Sequence, residues 1–197
     1  DDLHATPGKT AAEMGDPDRK AAGLGYTVLA WSRDGRTWQR DHEPFIPRNE
    51  FPGTFDHAMA WGDAQIITDD ETLIYYAGYE HGHKVDRTKE RHLGLARMPR
   101  DRYVSRDAGR NLGRLVTRPF VMKSQSLTVN ANVKGEARVR LLDANRKPLD
   151  GFDWVEFTGD SVEHKVEWGN RLTAVSGKAG CLEFRLSDAQ LFGFDLH

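Results

Sequence analysis

Short apolar runs closed by turn signals follow one another along most of this chain, and they leave almost no room for a helix. YTVLAW, HAMAW, AQIIT, TLIYYAGY, HLGLAR, SLTVNANV, EARVRLLD, HKVEW and CLEFRL are the clearest of them. Between them stand DG, DDE, DANRKP and GKAG, built from residues that preset or relieve turn dihedrals. Apolar residues do not recur at helical spacing over any useful length. The expected fold class is therefore all-β. Residues 1–25 stand apart: they are polar, Gly15 and Pro17 interrupt them, and they read as a loop segment.

The strand pattern changes character near residues 107–119. DAGRNLGRLVTRP mixes glycine, polar residues and a proline, and beyond it the runs lengthen and alternate more cleanly, as in Glu136-Ala-Arg-Val-Arg-Leu-Leu. Two parts are expected, residues 26–112 and 120–197. The first carries a weak internal repeat, in which Leu29-Ala30, Asp34-Gly35 and Trp38 are echoed by Leu95-Ala96, Asp101-Arg102 and Tyr103. A period of about 66 residues, with about four short strands in each, has the scale of a β-propeller blade with one long loop.

Charge narrows the partners. Lys and Arg number 28 against 30 Asp and Glu, a net charge of −2, so neither a nucleic-acid groove nor a polybasic membrane contact is expected. A small neutral substrate or another protein fits better. The single cysteine, Cys181, forbids an internal disulfide and reads as a small buried residue of a strand. No run approaches the ~20 apolar residues of a membrane helix. The start, DDLHATPGK, has neither a basic beginning nor an apolar signal core, so the chain is expected to be processed or incomplete.

Strand direction sorts the loops. An up-and-down unit would run from Ala58 to Ile67, turn at Thr68–Glu71, and return from Thr72 to Gly78. A loop over residues 79–91 would then lead to His92–Met98, a turn at 99–102 and an outer strand at Tyr103. Because antiparallel strands reverse, Phe55-Asp56-His57 and the loop holding Glu80, His81, His83 and Arg87 converge on one side. WSRDGRTW, at residues 31–38, is the third-to-fourth hairpin of the preceding unit and points to the other. There Asp34 would accept backbone N–H bonds, Gly35 would take a positive φ and Trp38 would pack between sheets, a structural role.

LAWSRDGRTW resembles the Asp-box hairpin of sialidase-like propellers, shortened so that Gly follows Asp directly. FDHAMAW, LIYYAGYEHGH, HLGLARMPRDRYVSRDAG, LTVNANVKGEARVRLLDANRKPLDGF and FTGDSVEHKVEWG resemble, in that order, the carboxyl-terminal half of bacterial proteins similar to five-bladed glycoside hydrolases of families 32, 43 and 68. The resemblance spans residues 24–197. It implies a partial propeller of about two blades followed by a β-sandwich, an extracellular or periplasmic setting, a carbohydrate partner and no cofactor. It also implies that missing blades, or another chain, complete the ring. In one departure, Asp101-Arg102-Tyr103 stands where relatives read Asp-Gly-Phe.

Glycoside hydrolysis needs two carboxyl groups about 5 to 10 Å apart across the scissile bond. Asp56 and Glu80 are the catalytic candidates on the convergent side; a strand-end cap and a solvated loop residue are their plainer readings. His57, Tyr76, His81, His83 and Arg87 are the substrate-binding candidates. A metal held by His57, His81 and His83 is the less favoured alternative, because His-Gly-His is not a diagnostic spacing. Alternation sends Tyr75 and Tyr76 to opposite sides, so one of them at most serves a pocket, with Tyr79 as a further aromatic.

In the second part, Leu127–Asn132 and Glu136–Leu142 are expected to pair as a hairpin. Asp143 and Asn145 fit a plain turn better than a calcium loop. Phe152, Trp154, Phe157 and Trp168 fit core packing better than a carbohydrate-binding strip. The functional expectation is part of a glycoside hydrolase, with a noncatalytic carbohydrate-binding or structural extracellular protein as the alternative.

Overall fold

The computed structural model describes residues 24–81, 91–169 and 171–197, and what is described is all-β apart from one short 3-10 turn at Leu172–Val175. No helix among the described residues is long and apolar enough to cross a membrane. The chain forms two compact units, Asp1–Met98 and Pro99–His197.

The first unit is a five-stranded sheet. Its strands are β1 (Gly25–Ser32), β2 (Trp38–Ile46), β3 (Met59–Ile67), β4 (Glu71–Tyr79) and β5 (His92–Pro99), in the order β2-β1-β3-β4-β5. HAMAW and AQIIT belong to one strand, β3, joined by a bulge between Gly62 and Ala64. β2 escaped the sequence reading because its charges and Pro44 belong to an edge strand, with register shifts along its pairing with β1.

The hairpin β1–β2 was expected in a separate preceding blade. It shares a sheet with β3 through a short parallel pairing, Gly25 with Met59 and Tyr26 with Ala60. Gly25 makes this possible, since a Cβ there would lie 2.0 Å from Trp61 Nε1. The Thr27 hydroxyl continues the contact, donating to Ala60 O at 2.9 Å and accepting from Gly62 N at 2.7 Å. A cluster of four buried residues, Ala58, Met59, Ala77 and Tyr79, with Leu24 against it, lies at this junction. Elsewhere the sheet shows large apolar side chains to solvent, Leu93 at 74% and Ile66 and Ile67 at 51% each.

The expected outer strand at Tyr103 does not form. Pro99 begins the second unit, and the strand Arg106–Ala108 (β6) pairs with its last strand. The contacts of Arg102 explain the change of allegiance. Arg102 is 8% exposed; it donates from Nε to Asn130 Oδ1 at 2.9 Å and from Nη2 to Asp160 Oδ1 at 2.5 Å, and it stacks on Phe192 at 4.6 Å. The positive φ, 60°, falls on Asp101. Division therefore comes earlier than the composition change at residues 107–119.

The second unit adds β7 (Gly113–Val116), β8 (Phe120–Val121), β9 (Leu127–Asp143), β10 (Val155–Val166) and β11 (Ala179–Leu196). Its sheet runs β10-β9-β11-β6, with β7 and β8 also on β11. The expected hairpin is a correction: Leu127–Asn132 and Glu136–Leu142 are two stretches of one 17-residue strand, β9. Lys134-Gly135 is a corner rather than a turn. A Cβ on Gly135 would stand 2.5 Å from Ser187 O, Asp188 beside it has φ 45°, and Gly159 on β10 has φ 89°.

At this corner the sheet folds onto itself. The rings of Phe184 and Phe194 are 6.3 Å apart, although ten extended residues would span about 33 Å. Both halves of β9 and β11 feed one core, from Leu127, Val129 and Leu191 to Val139, Leu141, Leu182 and Phe184. Phe152, Phe157 and Trp168 lie in or against it, whereas Trp154, expected there too, is outside it and lies against the guanidinium groups of Arg138 and Arg140; Cys181 is buried as a free thiol. Asp143 Oδ1 accepts from Asn145 N and Lys147 N, both at 2.8 Å, which makes the following segment a plain turn.

Candidate functional site

The first unit keeps its chemistry at one end. Ala58 N donates to Tyr79 O at 3.0 Å and Met59 pairs with Tyr79, so the segment entering β3 and the one leaving β4 lie side by side. Asp56, His57, Glu80 and His81 sit there. β1 runs parallel to β3 and ends at Ser32, so the WSRDGRTW tip is at the opposite end.

That tip is built as a self-contained turn. Asp34 Oδ1 accepts from Thr37 N at 2.7 Å, Arg36 N at 2.8 Å and Ser32 Oγ at 3.0 Å, and Gly35 has φ 70°. The backbone N–H bonds of Thr37 and Arg36, followed by the Ser32 hydroxyl, hold the Asp34 carboxyl down at about 2. One expectation fails here: Trp38 is 61% exposed and is not packed between sheets. Trp31 donates its indole N–H to Gln39 Oε1 at 2.8 Å.

At the other end, Asp56 Oδ2 accepts the Tyr76 hydroxyl at 2.9 Å. The ring of Phe55 stacks on Tyr76 at 6.0 Å and lies 5.9 Å from His92. Two strand glycines admit these rings. A Cβ on Gly94 would lie 2.2 Å from the Tyr76 ring, and one on Gly78 2.6 Å from that of Phe55. Burial, followed by the bond to Asp56 and its charge, pushes the Tyr76 phenol up to about 12. The phenol thus stays protonated as a donor through neutral pH.

The loop before β3 is tied down around Asp56. Asn49 N donates to Asp56 O at 3.0 Å, Thr54 Oγ1 donates to Phe51 O at 2.8 Å, and Asn49 Oδ1 accepts Phe51 N at 3.0 Å. His57 belongs to this scaffold: its Nδ1 is 3.0 Å from Asn49 O, and its carbonyl accepts Arg48 Nη1 at 3.0 Å. Glu80 Oε1 lies 3.6 Å from His81 Nε2, with both side chains partly exposed. Tyr79 is buried, edge-on to Trp61 at 6.3 Å, and so serves packing. His83 and Arg87 lie outside the described residues. Among the described residues no three His, Cys, Asp or Glu side chains gather to hold a metal ion.

Of the substrate-binding candidates, Tyr76 is the one the fold joins to Asp56. His92 was missed as a member of the group, and its signal was faint. Gly78 and Gly94, inside strands where a side chain is the norm, were the available hint that rings approach closely. No protein-family model, curated protein or solved structure matches the chain.

Proposed function

We propose that this chain is part of a carbohydrate-active enzyme of glycoside-hydrolase type, in which Asp56 is the acidic group and Tyr76 orients it. The observation that carries the reading is the 2.9 Å bond from the Tyr76 hydroxyl to Asp56 Oδ2 beside Phe55. A carboxylate fixed by a neutral phenol is held in one rotamer, and nearby aromatic rings suit the apolar faces of a sugar. Glu80, at the same end of the sheet, is the second carboxylate of the proposal, with His57 and His81 beside it. The first sheet is read as part of a propeller and the folded second sheet as its accessory sandwich. The exposed apolar residues of β3 and β5 support a ring completed by further blades or another chain.

A noncatalytic sugar-binding role is the second reading, and the position of Glu80 favours it. Its carboxylate meets His81 at 3.6 Å on a partly exposed segment. Turnover of a panel of aryl glycosides by the intact protein, compared with Asp56→Asn, separates the two. Loss of turnover in the variant supports the enzyme; binding without turnover supports the second reading. Equal turnover by both proteins removes Asp56 from the chemistry.

A further inference from the structure

We propose that the outward face of the second unit's sheet binds an acidic glycan through the guanidinium groups of Arg114, Arg138, Arg140 and Arg185. The inference rests on the carbohydrate reading for the kind of polymer, and on the second unit alone for the site.

Alternation sets the face. Phe184 and Leu186 enter the core, so Glu183 and Arg185 point the other way. Pairing then aligns Arg138, Arg185 and Arg114 directly across three neighbouring strands, with Arg140 opposite Glu183. Neighbouring strands are about 4.8 Å apart, a spacing at which like charges repel. Two devices hold the row together. Glu183, with no exposed side-chain surface, accepts Arg114 Nε at 2.5 Å and Arg140 Nε at 2.7 Å. Trp154 lies under the guanidinium carbons of Arg140, Arg138 and Arg185 at 4.4, 5.1 and 5.9 Å.

Compensation is incomplete. Besides Glu183, Glu136 is 3.5 Å from Arg138, and Glu156 pairs across from Arg138 in the backbone register. Four cations thus face three carboxylates, and the buried Nε atoms of Arg138 and Arg185 have no hydrogen bond, only ion-pair approaches of 3.5 Å to Glu136 and 3.6 Å to Glu183. A stability role would favour alternating signs; a row of partly exposed guanidinium forks suits carboxylate or sulfate groups, which they hold through paired hydrogen bonds. The guanidinium groups cover the Trp154 ring, so it is not open to stack on a base, which argues against a single-stranded nucleic acid.

The test measures binding of the intact chain to dextran sulfate, polygalacturonate, neutral dextran and a single-stranded oligodeoxynucleotide. Binding to a sulfated or carboxylated glycan, weakened by salt and absent for neutral dextran, is the expected result; the two acidic polymers tell sulfate from carboxylate. Arg138→Gln with Arg185→Gln should reduce it about tenfold or more, and Arg36→Gln in the first unit should not. If the double variant fails to fold, the half-exposed Arg114→Gln serves in its place. No binding to either acidic glycan, binding indifferent to these variants, or equally tight binding of the oligonucleotide overturns the proposal. Aryl glycoside turnover at Asp56 is scored separately: turnover without acidic-glycan binding removes this inference alone, and the converse removes the enzyme reading while leaving the face.

Discussion

Tyr76 and Asp56, on a strand and on the loop that enters its neighbour, are joined by a 2.9 Å hydrogen bond that the sheet itself prepares. Tyr76 reaches the loop because Gly94 leaves room for its ring, and Phe55 lies over Gly78 to close the stack. The relationship rests on absent side chains as much as on the two that meet.

Tyr76→Phe keeps the ring and deletes the donor. Urea unfolding should show a loss of about 1 kcal/mol. If Asp56 is the catalytic carboxylate, kcat on the best aryl glycoside should fall about tenfold to a hundredfold with KM little changed. The pH dependence has a fixed sign. The folded phenol titrates at about 12, above its ordinary 10.0, so its contribution is full below pH 10 and lost as pH rises toward 12. The phenylalanine variant should lack that alkaline loss.

Gly94→Ala puts a Cβ where the Tyr76 ring lies, 2.2 Å away, and should cost about 2 kcal/mol as the ring is displaced. The ring is the cause, so the same substitution in a Tyr76→Ala background should cost much less. Equal costs in both backgrounds, measured as urea midpoints, would show that the ring and the glycine are not coupled.

The all-β class and most strands were legible because turn residues and the absence of helical spacing are local signals. The opposition of WSRDGRTW and Asp56 was legible too, since strand direction follows from connectivity. What escaped depends on contacts distant in sequence. Gly135 looks like a hairpin turn until Ser187 stands 2.5 Å from its missing Cβ, and Arg102 looks like a damaged turn until Asn130 and Asp160 receive it. The bond between Tyr76 and Asp56 was likewise not predicted. The two residues were named separately, and only the fold shows that they meet.

Asp34 should give the hairpin an acid-sensitive component. Its folded carboxyl titrates at about 2, below its ordinary 3.8, so its stabilisation is present above about pH 4 and is lost as pH falls toward 2. Asp34→Ala should flatten stability over that window, and amide exchange at Arg36 and Thr37 should quicken. Unchanged exchange at those two amides would contradict the bonds assigned to Asp34.

Glu183→Gln removes the buried anion between Arg114 and Arg140. Burial alone would raise its carboxyl, but the bonds from the two arginines more than offset this and leave it lowered. The variant should lose about 2 kcal/mol in urea unfolding at neutral pH. Protonating the wild-type carboxyl removes the same interaction, so the gap between wild type and variant should narrow in acid.

Gly135→Ala tests the corner that makes one strand out of two expected ones. The new methyl would meet Ser187 O at 2.5 Å, and a backbone oxygen inside a paired strand cannot swing aside as a side chain can. Either β9 and β11 separate locally, losing ladder bonds on both sides of the corner, or the methyl is held under strain. Both routes should cost about 3 kcal/mol in urea unfolding. Gly109→Ala is the matched control, because a Cβ there meets nothing within 4 Å and its φ is not positive; it should stay within about 0.5 kcal/mol of the parent. A hairpin at Lys134-Gly135 would instead leave residue 135 at a solvent-facing turn, where alanine costs little. An unchanged midpoint would therefore restore the hairpin and separate the two halves of β9, whereas a large loss confined to Gly135→Ala holds them as one bent strand.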